Sequence, residues 1–201
     1  MPRIIVIANP KGGVGKSTMA INIAQKIKKH VKTVLVDIDP QGTTTKLQNT
    51  FADLTVLNYD GKPLKDLPYD FIVVDTPPYR TEHLQELFLQ ADLIVIPTKA
   101  GIAELLEVTP ILRLIEEARI KNPNLRAKAF FNQVISGASL TDEIKKQVID
   151  LNMECFDTQV IHRQNYIRSV ALPNGVADLK DARANEEMAQ LLNEILLLIQ
   201  K

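Results

Sequence analysis

Apolar residues fall into two kinds of run along this chain. Ile4 to Ala8, Val34 to Val36, Phe71 to Val74 and Leu93 to Ile96 are short, rich in β-branched residues and free of strict polar alternation. Such runs suit strands covered on both faces, as in a parallel sheet. Ala127 to Val134 reads as another strand. Between these segments apolar residues recur at helical spacing. Met19, Ala20, Ile23, Ala24 and Ile27 form one stripe, and Ile102, Leu105, Leu106, Thr109, Leu112 and Ile115 predict a second, long helix. Leu140, Ile144, Val148 and Leu151 predict a third, and Met188, Leu191, Leu192, Ile195 and Ile199 mark the last. Strands alternating with helices predict an α/β doubly wound fold: a mostly parallel sheet with helices on both faces. Phe51 to Pro68, with Asn58, Asp60, Gly61, Pro63 and Pro68, is the least regular stretch and reads as a surface excursion holding at most one short strand. No repeat, low-complexity segment or long linker divides the chain, so residues 1–201 read as a single domain.

Composition narrows the class. Hydrophobic residues make up 45% and charged residues 24%, which supports a buried core and argues against disorder. Lys plus Arg equals Asp plus Glu at 24 each, so any basic surface must be local. Cys155 is the only cysteine, which excludes an internal disulfide framework. His30, His83 and His162 are scattered without ligand-like spacing, against a His/Cys metal site. No apolar run approaches the roughly 20 residues of a membrane span, and Met1-Pro2-Arg3-Ile4 leads straight into a strand without a signal-peptide pattern. A cytoplasmic protein is expected.

The strongest chemical signal is Asn9-Pro10-Lys11-Gly12-Gly13-Val14-Gly15-Lys16-Ser17-Thr18, between the first strand and the first helix. Glycines let the backbone curl so that N–H groups point inward, and the helix N-terminus adds its dipole. In such a phosphate loop Lys16 reaches the β- and γ-phosphates and the Ser17 hydroxyl ligates Mg²⁺. The ordinary pattern G-x-x-x-x-G-K-[ST] needs glycine where Pro10 stands, and Lys11 is a second lysine that Lys16 makes redundant within one site. A dinucleotide loop would need glycine at Thr18.

Lys11 to Thr18 resembles the deviant Walker A motif of the ParA/MinD family of ATPases. The resemblance implies a P-loop NTPase fold, ATP/ADP and Mg²⁺ as ligands, and contact of Lys11, Gly12, Gly13, Val14, Gly15, Lys16, Ser17 and Thr18 with nucleotide. It also implies a homodimer formed on ATP, in which Lys11 crosses to the partner's phosphates. Lys11, Lys16 and Asp39 are then the catalytic candidates.

Two strands end in carboxylates. In Val36-Asp37-Ile38-Asp39-Pro40-Gln41-Gly42, Asp39-Pro40 can simply start a turn. The segment is similar to the family's second motif, which implies that Asp39 positions the attacking water and Asp37 supports the Mg²⁺ shell. Phe71-Ile72-Val73-Val74-Asp75 is a Walker B arrangement in which Asp75 holds Mg²⁺ through water. Thr76-Pro77-Pro78 resembles the family's γ-phosphate-sensing switch. Asn132, at a later strand end, either contacts adenine or serves as a turn residue.

The remaining inferences are looser. By resemblance Arg163, Arg168, Lys180 and Arg183 contact DNA non-specifically, against the alternative of a solvated mixed-charge face beside Asp178, Asp181, Glu186 and Glu187. MinD-type relatives bind membranes through a basic C-terminal helix. Here Glu186, Glu187 and Glu194 accompany Leu191 to Ile199, and Lys201 is the sole basic residue after Arg183, which argues for a core-packed helix and against a membrane. The chain starts directly on the first strand, as in the small single-domain ParA type. The resemblance therefore implies a partition ATPase, associated with the nucleoid when ATP-bound and stimulated by a ParB-like protein. That partner's basic segment is expected to meet Pro97 to Val108, including Glu104 and Glu107. A protein-positioning ATPase and a MinD-like membrane switch are the alternatives.

Overall fold

The computed structural model describes residues 1–39, 42–78, 82–137 and 140–199. Seven strands form one sheet: β1 (Arg3–Ile7), β2 (Thr33–Asp37), β3 (Thr55–Asn58), β4 (Phe71–Asp75), β5 (Leu93–Thr98), β6 (Arg126–Val134) and β7 (Val160–Ile161). Their order is β3-β2-β4-β1-β5-β6-β7, with every pairing parallel. The helices are α1 (Lys16–Ile27), α2 (Thr43–Lys46), α3 (Glu82–Gln90), α4 (Ile102–Leu106), α5 (Thr109–Lys121), α6 (Asp142–Asp150), α7 (Gln164–Ser169) and α8 (Ala182–Ile199).

Successive strand residues face opposite sides, and this decides which helix each one meets. Ile4 and Val6 of β1, Val34 and Val36 of β2, Ile72 and Val74 of β4, and Ile94 and Ile96 of β5 join the core beneath α3 and α5. Ile5, Ile7, Leu35, Val73, Leu93 and Val95 face the other way, into the core beneath α1 and α8. The uninterrupted apolar runs are the sequence trace of this double cover. The doubly wound parallel sheet expected from the pattern is present, and α8 closes one face with Met188, Leu191, Leu192, Ile195 and Ile199 buried.

Register assembles the site. Ile7 lies opposite Asp75, and Asp75 opposite Asp37, so three strand ends finish abreast. β1 sits between β4 and β5, where the winding reverses, and crevices at such reversal points are where ligands enter these sheets.

One expectation needs correction. The single helix expected through Ile102 to Ile115 is two helices, α4 and α5, parted at Glu107 and Val108. Pro110 at the start of α5 lacks an N–H for the carbonyl one turn earlier, so the first helix cannot run through it. The Phe51 to Pro68 excursion does contain one short strand, β3, which pairs with β2 at the sheet edge.

A buried amide ties α1 to the C-terminal third. Asn22 is 1% exposed. Its Nδ2 donates to the Thr18 carbonyl and to Ser169 Oγ, each at 2.8 Å, and its Oδ1 accepts from Val176 N at 2.7 Å. Gly175 has φ +64°, and a Cβ there would stand 2.6 Å from Asn22 Oδ1, so only glycine fits beside the amide. Asn22→Ala strands these buried partners. Urea denaturation of the variant is expected to show a loss of about 2 kcal/mol; an unchanged midpoint would show that the tie is dispensable.

Candidate nucleotide site

The phosphate loop is held from several sides. Asn9 is buried; its Oδ1 accepts from Lys11 N, and its Nδ2 donates to the Pro97 carbonyl at the end of β5, both at 2.8 Å. Gly13 and Gly15 have φ +73° and +93°, and Gly15 caps α1. Val14 is fully buried beneath the loop. Lys16 opens α1 and is 7% exposed, and its ammonium donates to the Lys11 carbonyl at 2.8 Å. Burial lowers the Lys16 pKa, while Asp75 and Asp39 pull it back up. A buried cation resting on a neutral carbonyl is poised to exchange that contact for an anionic phosphate oxygen.

The carboxylates have different jobs. Asp37 is 2% exposed and its oxygens are occupied: Oδ1 accepts from Asp39 N at 3.0 Å, and Oδ2 from Thr45 N and Thr45 Oγ1 at 3.0 and 3.1 Å. Asp37 thus holds the backbone of Asp39 and anchors α2, and the Mg²⁺-shell support expected of it has to be given with these bonds in place. Asp75 is 1% exposed, and neither of its oxygens meets a hydrogen-bond donor in bonding geometry among the described residues. Its pKa is pushed up to about 7, first by burial; the Ser17 hydroxyl and Lys16 lower it, and Asp37 and Asp39 raise it. No group of three His, Cys, Asp or Glu side chains converges as a metal cage among the described residues. One unpartnered carboxylate beside a serine hydroxyl instead suits a Mg²⁺ ion that draws most of its oxygens from phosphates and water. Thr76, just after β4, donates its hydroxyl to the Ile7 carbonyl at 2.8 Å, tying this segment to the root of the loop.

Other predicted residues acquire partners that sequence reading missed. Lys11 is not idle in its own subunit: its Nζ lies 2.9 Å from Glu104 Oε1. Glu104 is correspondingly not the exposed acid expected from the sequence, since its side chain is 23% exposed and Oε2 is buried with no hydrogen-bond partner among the described residues. Asn132 is 3% exposed; Nδ2 donates to the Val14 carbonyl at 2.7 Å and Oδ1 accepts from Gln133 N at 2.9 Å. Its amide therefore braces the loop. Beside it a cavity of about 60 Å³ opens between Gly15, Thr18, Met19, His162, Tyr166 and Ile167.

Of the candidate DNA contacts, Arg168, Lys180 and Arg183 are exposed. Arg163 departs from the expectation: its guanidinium pairs with Glu187 at 2.6 Å, and the other Glu187 oxygen accepts from Ile161 N and Tyr166 Oη. That contact raises the Arg163 pKa, and Arg163 acts as a strut between α7 and α8. No helix among the described residues is long and apolar enough to cross a membrane.

Comparison with known proteins decides the family. A family model described as the CobQ/CobB/MinD/ParA nucleotide binding domain matches residues 5–173. The chain belongs to this family. It is 30% identical to maintenance of carboxysome distribution protein A of Halothiobacillus neapolitanus over 96% of this chain and 95% of that protein. It is 29% identical to the chromosome-partitioning ATPase Soj of Thermus thermophilus over 69% of this chain and 72% of that one. A solved plasmid partition protein of Borrelia burgdorferi, bound to AMPPNP, shares its fold with a TM-score of 0.72 at 22% identity, covering 98% of this chain and 99% of that one.

Asp75 makes this ParA/MinD-family chain sensitive to pH. Its pKa rises from 3.8 to about 7 on folding, so the native state holds the proton more tightly than the unfolded chain. Below both values the carboxyl is neutral in either state and costs nothing. As pH climbs through the interval the native state loses stability, and the full penalty stands above the folded pKa. Asp75→Asn is expected to raise the stability of nucleotide-free protein at pH 8 by an amount on the order of 2–4 kcal/mol, with the gain vanishing toward pH 4. Denaturation at the two pH values checks this; an equal effect at both contradicts it.

Proposed function

We propose that the chain is a Mg²⁺-dependent ATPase switch of the partition type, which dimerises on ATP, binds DNA without sequence preference as the dimer, and releases it after hydrolysis. The observation carrying this reading is the pair of lysines on one loop above an unpartnered buried carboxylate. Lys16 leaves the Lys11 carbonyl for the phosphates. Lys11 is held by a partly exposed ion pair, a contact worth no more than about 1 kcal/mol, so it is free to cross to a second subunit and stabilise charge on the transferring phosphoryl group. Asp39, fixed in its turn by Asp37, orients the attacking water. Asp75 and Ser17 would hold the Mg²⁺, which neutralises charge on the phosphate oxygens when bound.

DNA contact falls to Arg168, Lys180 and Arg183, with Arg163 set aside for its internal pair. Turnover of the isolated chain is slow in this reading and is raised by a ParB-like partner with a basic segment. Such a segment reaching α4 finds Glu107 exposed and meets Lys11 as a competitor at Glu104. The cargo is a plasmid or chromosome. The near full-length similarity to a carboxysome-distribution protein favours, as a second reading, a protein assembly carried by the same DNA-bound switch. The acidic residues of α8, two of them engaged with the body of the protein through Glu187 and Glu194, weigh against a membrane output.

Light scattering and DNA-shift assays with ATP and ADP test the proposal. The native chain is expected to dimerise and shift DNA with ATP alone. Lys16→Ala loses nucleotide binding, whereas Lys11→Ala keeps binding but stays monomeric. A native chain that remains monomeric with ATP sinks the dimer reading, and liposome binding in place of DNA binding sinks the DNA one. Asp39→Ala should slow hydrolysis by about a hundredfold or more while ATP affinity holds; loss of affinity instead would make Asp39 a folding or metal residue.

A further inference from the structure

We propose that Gln133, together with Asn132, is a positioning pair that sets the direction of the phosphate-loop N–H groups from outside the loop. The inference goes beyond the assignment of this segment to nucleotide contact and rests on the nucleotide-binding reading of the loop. Three observations converge. Gln133 Nε2 donates to the Gly13 carbonyl at 3.0 Å, and Asn132 Nδ2 donates to the next carbonyl, Val14, at 2.7 Å. Gln133 has φ +58°, a left-handed conformation that a non-glycine residue adopts only where its surroundings impose it. Gly15 leaves no room for a side chain on this side: a Cβ there would lie 2.4 Å from Asn132 Nδ2 and 3.7 Å from Gln133 Nε2.

Peptide geometry gives the pair its effect. In a planar trans peptide the C=O and the following N–H point in opposite directions. Holding the Gly13 carbonyl toward β6 turns the Val14 N–H away from β6, and holding the Val14 carbonyl does the same to the Gly15 N–H. Consecutive carbonyls captured on one side thus present consecutive N–H groups on the other, which is the arrangement an anion needs. Gly13 and Gly15 both have positive φ, so without outside donors these peptides are among the freest of the loop to rotate. The left-handed turn at Gln133 is what lets two adjacent side chains of β6 reach the same loop, since neighbours on a regular strand face opposite sides. The amides touch peptide carbonyls and need not touch the ligand.

Calorimetric titration with ATP and with inorganic tripolyphosphate, which carries no base, tests the pair. Gln133→Gly removes the donor while accepting positive φ, so the nucleotide-free variant should melt within about 2 °C of the native chain. Both ligands should bind about fivefold more weakly, the size of one neutral hydrogen bond, and by the same factor. Gln133→Met keeps the length but not the donor and should bind as poorly. Weakened ATP binding with unchanged tripolyphosphate binding would overturn the proposal in favour of a base contact, and unchanged binding of both would make Gln133 a bystander. A native chain that takes up neither ligand would overturn the nucleotide reading itself, and the pair with it.

Discussion

A buried, unpartnered carboxylate at the end of the central strands is the constraint around which this protein is built. Asp75 is placed there by register, abreast of Asp37 and of the last residue of β1, and by the cover of helices on both faces. Burying a carboxylate costs several kcal/mol unless opposite charge compensates. Lys16 offers part of that compensation but is itself desolvated and rests on a backbone carbonyl. The resting site is therefore short of both a cation for Asp75 and an anion for Lys16. A magnesium nucleotide supplies the two together, which is the physical case for its being the ligand.

The surroundings keep the loop ready for that ligand. Asn9 ties it to β5, Asn132 and Gln133 to β6, and Lys16 closes it on itself. Behind it Asn22 joins α1 to Ser169 and Val176, so the helix carrying Lys16 and the segment carrying Arg168 share one buried polar tie. Nearly all of these donors are amides of Asn or Gln. They fix direction without adding charge, and leave the field of the site to Lys16, Asp75, Asp37 and Asp39. Lys11 differs in kind: its ion pair with Glu104 is partly exposed and cheap to exchange, as the proposed crossing to a second subunit requires.

Legibility in the sequence tracked the range of each interaction. The phosphate loop was readable because glycines and lysines close together specify it, and the buried strands because a double-covered strand shows an unbroken apolar run. Helix α3 carries only a weak sequence mark although Leu84, Leu87 and Phe88 form its buried face, because nine residues make a short stripe. The break between α4 and α5 was written in Pro110. What could not be read were the partners. Asn132 meets Val14 across 118 positions, Arg163 finds Glu187 on another helix, and Lys11 finds Glu104 past four further strands of the chain. Asp37 was correctly placed at a strand end, but its role in holding Asp39 and Thr45 depends on a turn whose path follows from folding alone.

The central claim is that Asp75 awaits a cation brought in with the nucleotide. Calorimetric titration of ATP at neutral pH, with and without Mg²⁺, measures this in the native chain and in Asp75→Asn. The account predicts that Mg²⁺ tightens binding to the native chain by about tenfold or more, a coupling of at least about 1.4 kcal/mol, and that the asparagine variant loses most of this dependence. Equal ATP affinity with and without Mg²⁺ in the native chain, or an undiminished Mg²⁺ effect in the variant, would contradict it.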